Sequence, residues 1–301
     1  MNRFIFGLLV VLATSLMGSS FAIGKIGLSY ISPLLLVGIR FTMAGLIMAV
    51  FVRTKRLPTS IQSWSKLFII GLFQTTGVMG CIFLSMRTIP SGETSILTFV
   101  NPLLVVFLGT WFLGLKYRMT QWLGVFIGFA GVFLSLGSHL QLTTGTWLGL
   151  GSALSWAIAT ILVKKWGSQF NSWVMSAYQM LFGGLLLLLF SVAMESPQLT
   201  TNLTSVSVVL YLAILGSIVQ FATWYYLLSH GDPGKTSAFL FLAPFFGVLS
   251  GFIIHNETIH SYVYLGGFCI CIGIFLVNWT TYGKKQQHHE EEGRLQPKPN
   301  G

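Results

Sequence analysis

The chain has 301 residues, of which 53% are hydrophobic and only 8% are charged. Soluble domains carry about 25% charged residues, so this composition excludes a soluble globular fold and makes lipid the solvent for most of the surface. The formal net charge of +10 raises the question of a nucleic-acid partner. The basic residues lie in short loops between apolar runs, which is typical of a membrane protein and decides against nucleic acid.

Ten apolar runs follow one another along the chain. Each is about 20 residues long, the length of a helix that crosses a hydrocarbon core of about 30 Å. Each is continuously apolar, whereas the strands of a membrane barrel alternate over about 10 residues, and helices satisfy their own backbone hydrogen bonds in lipid. We therefore predict an all-α membrane protein with ten transmembrane helices. The predicted spans cover residues 4–24, 33–52, 66–84, 92–112, 119–136, 146–165, 172–193, 206–228, 235–254 and 262–282.

The lysine and arginine residues predict the orientation of these spans. Of the 17 such residues, fourteen lie on one side of the predicted membrane, Lys25 and Arg87 lie on the other, and Arg40 lies within the second span. An excess of positive loops faces the cytoplasm, so we predict a multi-pass protein of the bacterial cytoplasmic membrane with both termini cytoplasmic. The fourteen are Arg3, Arg53, Lys55, Arg56, Lys66, Lys116, Arg118, Lys164, Lys165, Lys235, Lys284, Lys285, Arg294 and Lys298.

The two halves of the chain resemble each other in sequence. TSILTFVNPLL from Thr94 matches TSAFLFLAPFF from Thr236, and QWLGVFIGFAGVFL from Gln121 matches VYLGGFCICIGIFL from Val263. Both matches have an offset of 142 residues. When a unit of five helices is duplicated, its second copy enters the membrane from the opposite side, which is the inverted-repeat architecture of alternating-access transporters.

The repeat divides the chain into three predicted segments. Residues 1–139 form the first five-helix repeat, residues 140–282 form the second, and the polar residues 283–301 form a disordered cytoplasmic tail. In transporters of this architecture the substrate site lies between the repeats near the bilayer midplane. We therefore expect a central cavity lined by the first, third, fourth, sixth, eighth and ninth helices.

The duplicated unit resembles the EamA type of the drug/metabolite transporter superfamily over about residues 4–282. The resemblance is carried by the TSILTFVNP and TSAFLFLAP segments and by the later GFAGVFL and CICIGIFL ends. It implies secondary transport, often export, of amino acids or other metabolites without ATP. The family often carries an acidic residue nine places before the glycine that opens the last helix of each half. Glu257 fits this pattern, but Leu115 occupies the other position.

Pro102 and Pro244 occupy equivalent positions in the fourth and ninth spans. A proline inside a helix loses a backbone hydrogen bond and clashes with the preceding turn, and broken or kinked helices line transporter sites. We expect both prolines to act as hinges or to line the cavity, although proline is also common in membrane helices. Asn101 shares a helix face with Thr94 and Thr98, which serves either to bind a polar substrate or to join helices.

Other polar and amphipathic side chains within the spans are candidates for binding the substrate. Amide groups and aromatic rings suit an amino acid, an aromatic ring or an organic cation. The alternative for the tryptophans is a position at the membrane interface. The candidates are Gln74, Trp156, Tyr178, Gln179, Gln220 and Trp224.

Three charged residues are candidates for gating or coupling. Arg40 lies well inside an apolar run, where a charge is a functional hypothesis by default, and Gln179 has a similar place in the seventh span. Arg40 either holds a substrate carboxylate, reaches outward to water or pairs with Glu93, and we expect a structural or gating role. Glu93, at the outer start of the fourth span, either couples proton movement or stabilises a helix N-terminus. The third candidate is Glu257, in a loop.

Together these patterns predict a secondary active transporter, an exporter of small metabolites such as amino acids that works by alternating access and is driven by proton exchange or by the substrate gradient. No Walker motif is present, and the small number of intramembrane charges favours a zwitterionic or neutral substrate over a multiply anionic one. We predict no enzyme activity, no metal and no cofactor, and the sequence leaves the oligomeric state open. The alternatives are a non-transporting receptor or assembly subunit and an intramembrane enzyme.

Overall fold

The computed structural model describes residues 3–114, 117–135, 143–230, 239–256 and 261–279. Within these ranges the chain is helical and has no β-strand, which confirms the all-α prediction for the described residues. Glu257 and the tail 283–301 lie outside the described residues. The α-helices are α1 Arg3–Gly27, α2 Pro33–Val52, α3 Ile61–Gly71, α4 Val78–Ser85, α5 Ser91–Thr98, α6 Asn101–Leu113, α7 Met119–Ser135, α8 Thr144–Trp166, α9 Ser172–Met194, α10 Leu203–Leu210, α11 Gln220–His230, α12 Leu242–His255 and α13 Ser261–Trp279.

Among the described residues, seven helical segments are long and apolar enough to cross a membrane. Two shorter apolar helices, Leu242–His255 and Tyr264–Gly273, follow them. The protein is therefore a multi-pass membrane protein, while the number of ten spans stays a prediction. The seven segments are Phe4–Gly27, Pro33–Val52, Ile61–Ser85, Ser91–Phe112, Thr144–Gln169, Ser172–Met194 and Leu203–Trp224.

Polar capping residues determine where two of these segments begin. Ser60 Oγ accepts a hydrogen bond from Ser63 N at 3.2 Å, and α3 begins directly after it, before the apolar run at residue 66. Asn202 and Ser205 form a capping box, and α10 begins directly after Asn202. Such caps satisfy the free N–H groups of a first turn. Hydropathy marks only the apolar part of a helix, so the sequence-based spans began too late here.

The helices of the two halves are interrupted at equivalent places. A π-helical stretch, Leu72–Gly77, joins α3 to α4, and a second one, Tyr211–Val219, joins α10 to α11. Phe99 and Val100 separate α5 from α6, and a 3-10 turn, Phe239–Phe241, precedes α12. π-helical turns inside α-helices are rare and frequently lie at functional sites.

The same packing pattern occurs twice in the molecule. Helix α1 packs against α11 and α12, and α8 packs against α4, α5 and α6. The first helix of each predicted repeat thus contacts the third and the interrupted fourth helices of the other repeat. Two further pairs, α2 with α9 and α7 with α13, join corresponding helices of the two repeats.

Helices α2 and α9 approach each other most closely at two matching glycines. A Cβ atom added to Gly45 would lie 2.5 Å from Leu181 N, and one added to Gly184 would meet Thr42 N. Gly45 and Gly184 are 139 residues apart, as are Thr42 and Leu181. The contact is therefore nearly the same when it is viewed from either helix, and small residues allow this approach of the two backbones.

The contact between α7 and α13 has the same reciprocal form. A Cβ atom added to Gly131 would lie 2.6 Å from Gly266 O, and one added to Gly273 would lie 2.5 Å from Gly124 O. The residues correspond at the offset of 142 that relates the sequence matches. For these two helices, the sequence match and the packing therefore give the same alignment.

Candidate functional site

A cavity with a free volume of about 50 Å³ lies where the two predicted repeats meet. We call it the Arg40 cavity. A water molecule takes about 30 Å³, and pockets for small molecules have about 300–1,000 Å³, so the cavity must widen before it admits a metabolite. Its walls include Ser20, Phe21, Arg40 and Phe99 from the first repeat and Trp156 and Gln220 from the second.

Arg40 is buried in α2 and reaches the π-helical stretch of the other repeat. Its Nε donates a hydrogen bond to Ser217 Oγ at 2.9 Å, and its Nη2 donates to Gly216 O at 2.7 Å. The guanidinium carbon lies 4.6 Å from the centre of the Phe41 ring. Glu93 is not among these partners, so the suggested ion pair is not formed. Arg40 therefore joins two repeats through neutral groups and also faces the cavity.

Aromatic rings form one wall of the Arg40 cavity. The centre of the Phe99 ring lies 5.5 Å from that of Trp156 and 6.2 Å from that of Phe21. Phe99 belongs to the interruption between α5 and α6, so the broken helix contributes directly to the wall. These mutually tilted rings offer an apolar surface with the indole N–H as a polar edge.

Gln220 and Ser20 add neutral polar groups to the walls. Gln220 is buried and is the first residue of α11, directly after the π-helical stretch. Ser20 Oγ donates a hydrogen bond to Leu16 O at 2.7 Å, within α1. The cavity thus combines a guanidinium, an amide, a hydroxyl and aromatic rings. Trp156 and Gln220, two of the predicted substrate-binding residues, are brought together here.

Asn101 and Gln74, two further candidates, lie away from the Arg40 cavity. Asn101 is buried at the start of α6, and Gln74 is half-buried in the Leu72–Gly77 stretch. The hydroxyl of Thr98, on the same face as Asn101, lies 2.8 Å from Ser152 Oγ in α8. This hydrogen bond joins two helices, as the alternative reading of that face proposed. Substrate binding by Asn101 and Gln74 stays a prediction.

The remaining predicted substrate-binding residues make other contacts. Gln179 Oε1 accepts a hydrogen bond from Thr75 Oγ1 at 2.6 Å. The Tyr178 ring packs edge-on against Trp64, with ring centres 4.7 Å apart. Trp224 packs beside a small core around α1 and α11. The residues of one helical turn point in different directions, so a position within a span does not by itself predict a position in the cavity wall.

Pro102 and Pro244 lie in the first turns of helices that follow an interruption. Pro102 is the second residue of α6, and Pro244 is the third residue of α12. A proline in a first turn removes no helical hydrogen bond, so the helices break and restart instead of bending around the prolines. Pro244 also borders an apolar groove of about 300 Å³ between α12 and α13.

Of the two acidic candidates, Glu93 is among the described residues. Glu93 is half-buried in the first turn of α5, where the helix dipole stabilises a negative charge. Glu257, the family-type acid, lies outside the described residues. Among the described residues no group of three or more His, Cys, Asp or Glu side chains is placed to hold a metal ion.

Sequence reasoning missed the two small polar residues that receive Arg40 and Gln179. Ser217 binds Arg40, and Thr75 binds Gln179. Thr75 and Ser217 are 142 residues apart, which is the offset of the other repeat matches. The repeat was therefore the signal that pairs them, but only the three-dimensional packing shows which side chains they meet.

Comparisons with known proteins agree with these features. The EamA-like transporter family model matches the chain twice, over residues 5–137 and 143–279. "Uncharacterized transporter YoaV" of Bacillus subtilis is 26% identical over 284 residues, covering 92% of this chain and 97% of that protein. "Uncharacterized transporter YvbV" of the same organism is 29% identical over 292 residues, covering 92% and 93%. "Uncharacterized inner membrane transporter YedA" of Escherichia coli is 27% identical over 277 residues, covering 89% and 87%.

A solved crystal structure shares the fold. It aligns with a TM-score of 0.66 and 19% sequence identity, covering 95% of this chain and all of that chain. The two family matches together span nearly the whole chain, and they confirm the resemblance that the sequence motifs suggested. The chain belongs to the EamA-like transporter family.

Proposed function

We propose that the protein is a secondary active transporter that exports small metabolites such as amino acids across the bacterial cytoplasmic membrane by alternating access. The observation that carries this proposal is the Arg40 cavity, because its polar and aromatic walls come from both predicted repeats. Membership of a transporter family supports the same reading. Trp156 and Gln220 bind the substrate, and the helix breaks before Pro102 and Pro244 allow the cavity to widen.

The proposed architecture is ten helices in two inverted five-helix repeats. The reciprocal contacts at Gly45 and Gly184 support it, because two copies of one unit related by an approximate twofold axis would make such contacts. Equivalent halves exchange conformations when the protein changes from an inward-open to an outward-open state, so the two states have similar free energies. Both termini are cytoplasmic in this proposal, as the distribution of lysine and arginine predicts.

The proposed substrate is a small molecule without a large net charge, and the proposed coupling ion is the proton. Apart from Arg40, the described residues that line the cavity are neutral. A zwitterion such as an amino acid suits these walls better than a multiply anionic molecule. Glu93 is the proposed proton-coupling residue, because it is half-buried at the end of an interrupted helix.

Transport by the purified protein in liposomes tests the proposal. Pools of radiolabelled amino acids and other metabolites are presented with and without a pH gradient. Uptake above that of protein-free liposomes, which is stimulated by the gradient, is the expected result. Absence of uptake of every pool by folded, reconstituted protein would contradict the proposed function.

Two tryptophan variants connect this transport to the cavity. Trp156→Ala removes an aromatic wall and should lower the transport rate by up to about tenfold, since an aromatic pair contributes about 0.5–1.5 kcal/mol beyond its buried area. Trp111→Ala is the matched control, because Trp111 is 74% exposed and lies on α6 away from the cavity. Equal losses in both variants would place the substrate elsewhere.

A further inference from the structure

We infer that the Arg40 cavity is a carboxylate site, in which Arg40 binds the carboxylate of a small monocarboxylic substrate. The rest of such a substrate would pack against Phe99 and Trp156. This inference rests on the proposed transport function and names the substrate class of the same cavity. It departs from the structural or gating role that the sequence favoured for Arg40.

Arg40 keeps N–H donors that its contacts within the protein do not use. A guanidinium group has five N–H donors. Two hydrogen bonds, to Ser217 Oγ and Gly216 O, are formed with neutral acceptors. Among the described side chains no carboxylate is paired with Arg40, although the residue is only 2% exposed. Arg40 lines the cavity, and a bound anion there could use the remaining donors.

The other half of the molecule has a neutral residue at the position of Arg40. Gln179 has the place in α9 that Arg40 has in α2, and Thr75 has the place that Ser217 has in the other π-helical stretch. Gln179 and Thr75 are joined by a 2.6 Å hydrogen bond. A neutral amide is therefore sufficient to join the helices at this position. The positive charge of Arg40 is not explained by the same structural role.

The charge of Arg40 is buried and has neutral partners. A buried charge without a counter-ion is destabilising, and in membrane proteins such a charge marks a functional site. A bound anion would remove this cost. The planar guanidinium matches a carboxylate through two parallel hydrogen bonds. Arg40 is the one charged residue among the described residues that line the cavity, so a single negative charge is matched.

The walls define the rest of the substrate. Phe21, Phe99 and Trp156 present aromatic surface, and the Gln220 amide offers one donor and one acceptor group. An apolar or aromatic side group of the substrate would pack on the rings, and an amino group, where present, would donate a hydrogen bond to the Gln220 side-chain oxygen. A simple monocarboxylic acid and an amino acid both carry a carboxylate, and the experiment below distinguishes between them.

Chemical modification of arginine tests the inference. The full-length protein in proteoliposomes is treated with 2,3-butanedione, and mass spectrometry follows the modification of each arginine. The probes are propanoate, L-alanine, 3-phenylpropanoate and L-phenylalanine, each compared with its amide. We expect at least one acid to slow the modification of Arg40 about tenfold or more, while its amide has little effect. The exposed Arg53 and Arg87 are internal controls and should react at the same rate throughout.

Four outcomes overturn the inference. No slowing by any acid, or equal slowing by acids and amides, would mean that Arg40 does not recognise a carboxylate. Stronger slowing by inorganic phosphate than by every acid would assign the site to phosphate. No modification of Arg40 at all would mean that the guanidinium never faces water. Protection by the amino acids, by the simple acids or by both would support the inference, and the pattern would show which of these carboxylates the site binds.

A variant keeps the inference distinct from the proposed function. Arg40→Gln copies the Gln179 arrangement, so the protein should fold, and its transport of the acids should fall at least about tenfold. Unchanged transport of the acids in this variant would overturn the carboxylate site and leave the transporter intact. Protection of Arg40 by acids in a protein that transports nothing would support the site and contradict the proposed function.

Discussion

The two π-helical stretches of the protein occupy equivalent places but receive different partners. In one, Ser217 accepts a hydrogen bond from the Arg40 guanidinium, and in the other, Thr75 donates one to the Gln179 amide. The glycine contacts that join α2 to α9 are, in contrast, nearly the same in both directions. The packing of the two halves is thus matched, while the polar groups that they carry differ.

This difference separates structure from function within one chain. Features that both halves share, such as Gly45 and Gly184, are explained by helix packing alone. A feature that only one half has, the charge of Arg40, is not required by that packing. Each half therefore serves as a control for the other, and the following predictions use this relation.

The largest effect is expected when the charge is placed in the wrong half. Gln179→Arg puts a guanidinium in a buried position that is 4% exposed and that does not line the Arg40 cavity. An uncompensated buried charge costs about 3–5 kcal/mol, so the unfolding temperature in detergent should fall strongly. Gln179→Met, which has a similar volume and no charge, is the control. A stable Gln179→Arg protein would show that the two positions are alike.

A smaller and equal loss is expected at the matched glycines. Gly45→Val and Gly184→Val each place side-chain atoms against the backbone of the opposite helix. Overpacking costs about 1–3 kcal/mol, and both variants should lower the unfolding temperature to a similar extent. Gly7→Val is the control, because a Cβ at Gly7 has open space around it. A large difference between the two variants would contradict the reciprocal packing.

A still smaller effect is expected when the hydroxyl partners are removed. Ser217→Ala and Thr75→Val each remove one buried hydrogen bond, which contributes about 1 kcal/mol. The stabilities of the two variants should therefore be similar. Only Ser217→Ala should also weaken the protection of Arg40 by carboxylates, since Ser217 positions the guanidinium. If Thr75→Val weakened the protection of Arg40 as much as Ser217→Ala does, the proposed difference between the two halves would be contradicted.

The smallest effect on stability is expected for Arg40→Gln. Because Gln179 joins the same helices in the other half, the unfolding temperature should stay within a few degrees of that of the unmodified protein. Thermal unfolding in detergent measures this change. Arg40→Ala, which leaves Ser217 Oγ and Gly216 O without their donor, should be less stable by about 1–2 kcal/mol. A large fall in the unfolding temperature of Arg40→Gln would show that the charge of Arg40 is needed for stability.

Much of the fold was predictable because its causes are local. Continuous apolar runs of spanning length predict membrane helices, and the offset of 142 residues between matching segments predicts which helices correspond. The predicted starts of α3 and α10 were several residues too late, because the helices begin directly after Ser60 and Asn202. The observed starts depend on single capping residues instead of on hydropathy.

The candidate site was predictable only in part. Trp156 and Gln220 line the Arg40 cavity, while Tyr178 and Trp224 pack elsewhere. All four are amphipathic residues within apolar runs, and the direction of each side chain depends on helix rotation and on the neighbouring helix. The partners of Arg40 belong to the opposite half and to a π-helical stretch, which no local pattern in the sequence indicates.

The most direct test of the account compares transport of a carboxylate with transport of its amide. Proteoliposomes with the unmodified protein or with Arg40→Gln are loaded with one substrate. Its exchange for the radiolabelled acid and for the radiolabelled amide is measured in the same preparation. We expect the unmodified protein to exchange at least one acid about tenfold faster than its amide, and Arg40→Gln to lose this preference while staying folded. Exchange of acid and amide at equal rates by the unmodified protein would contradict it.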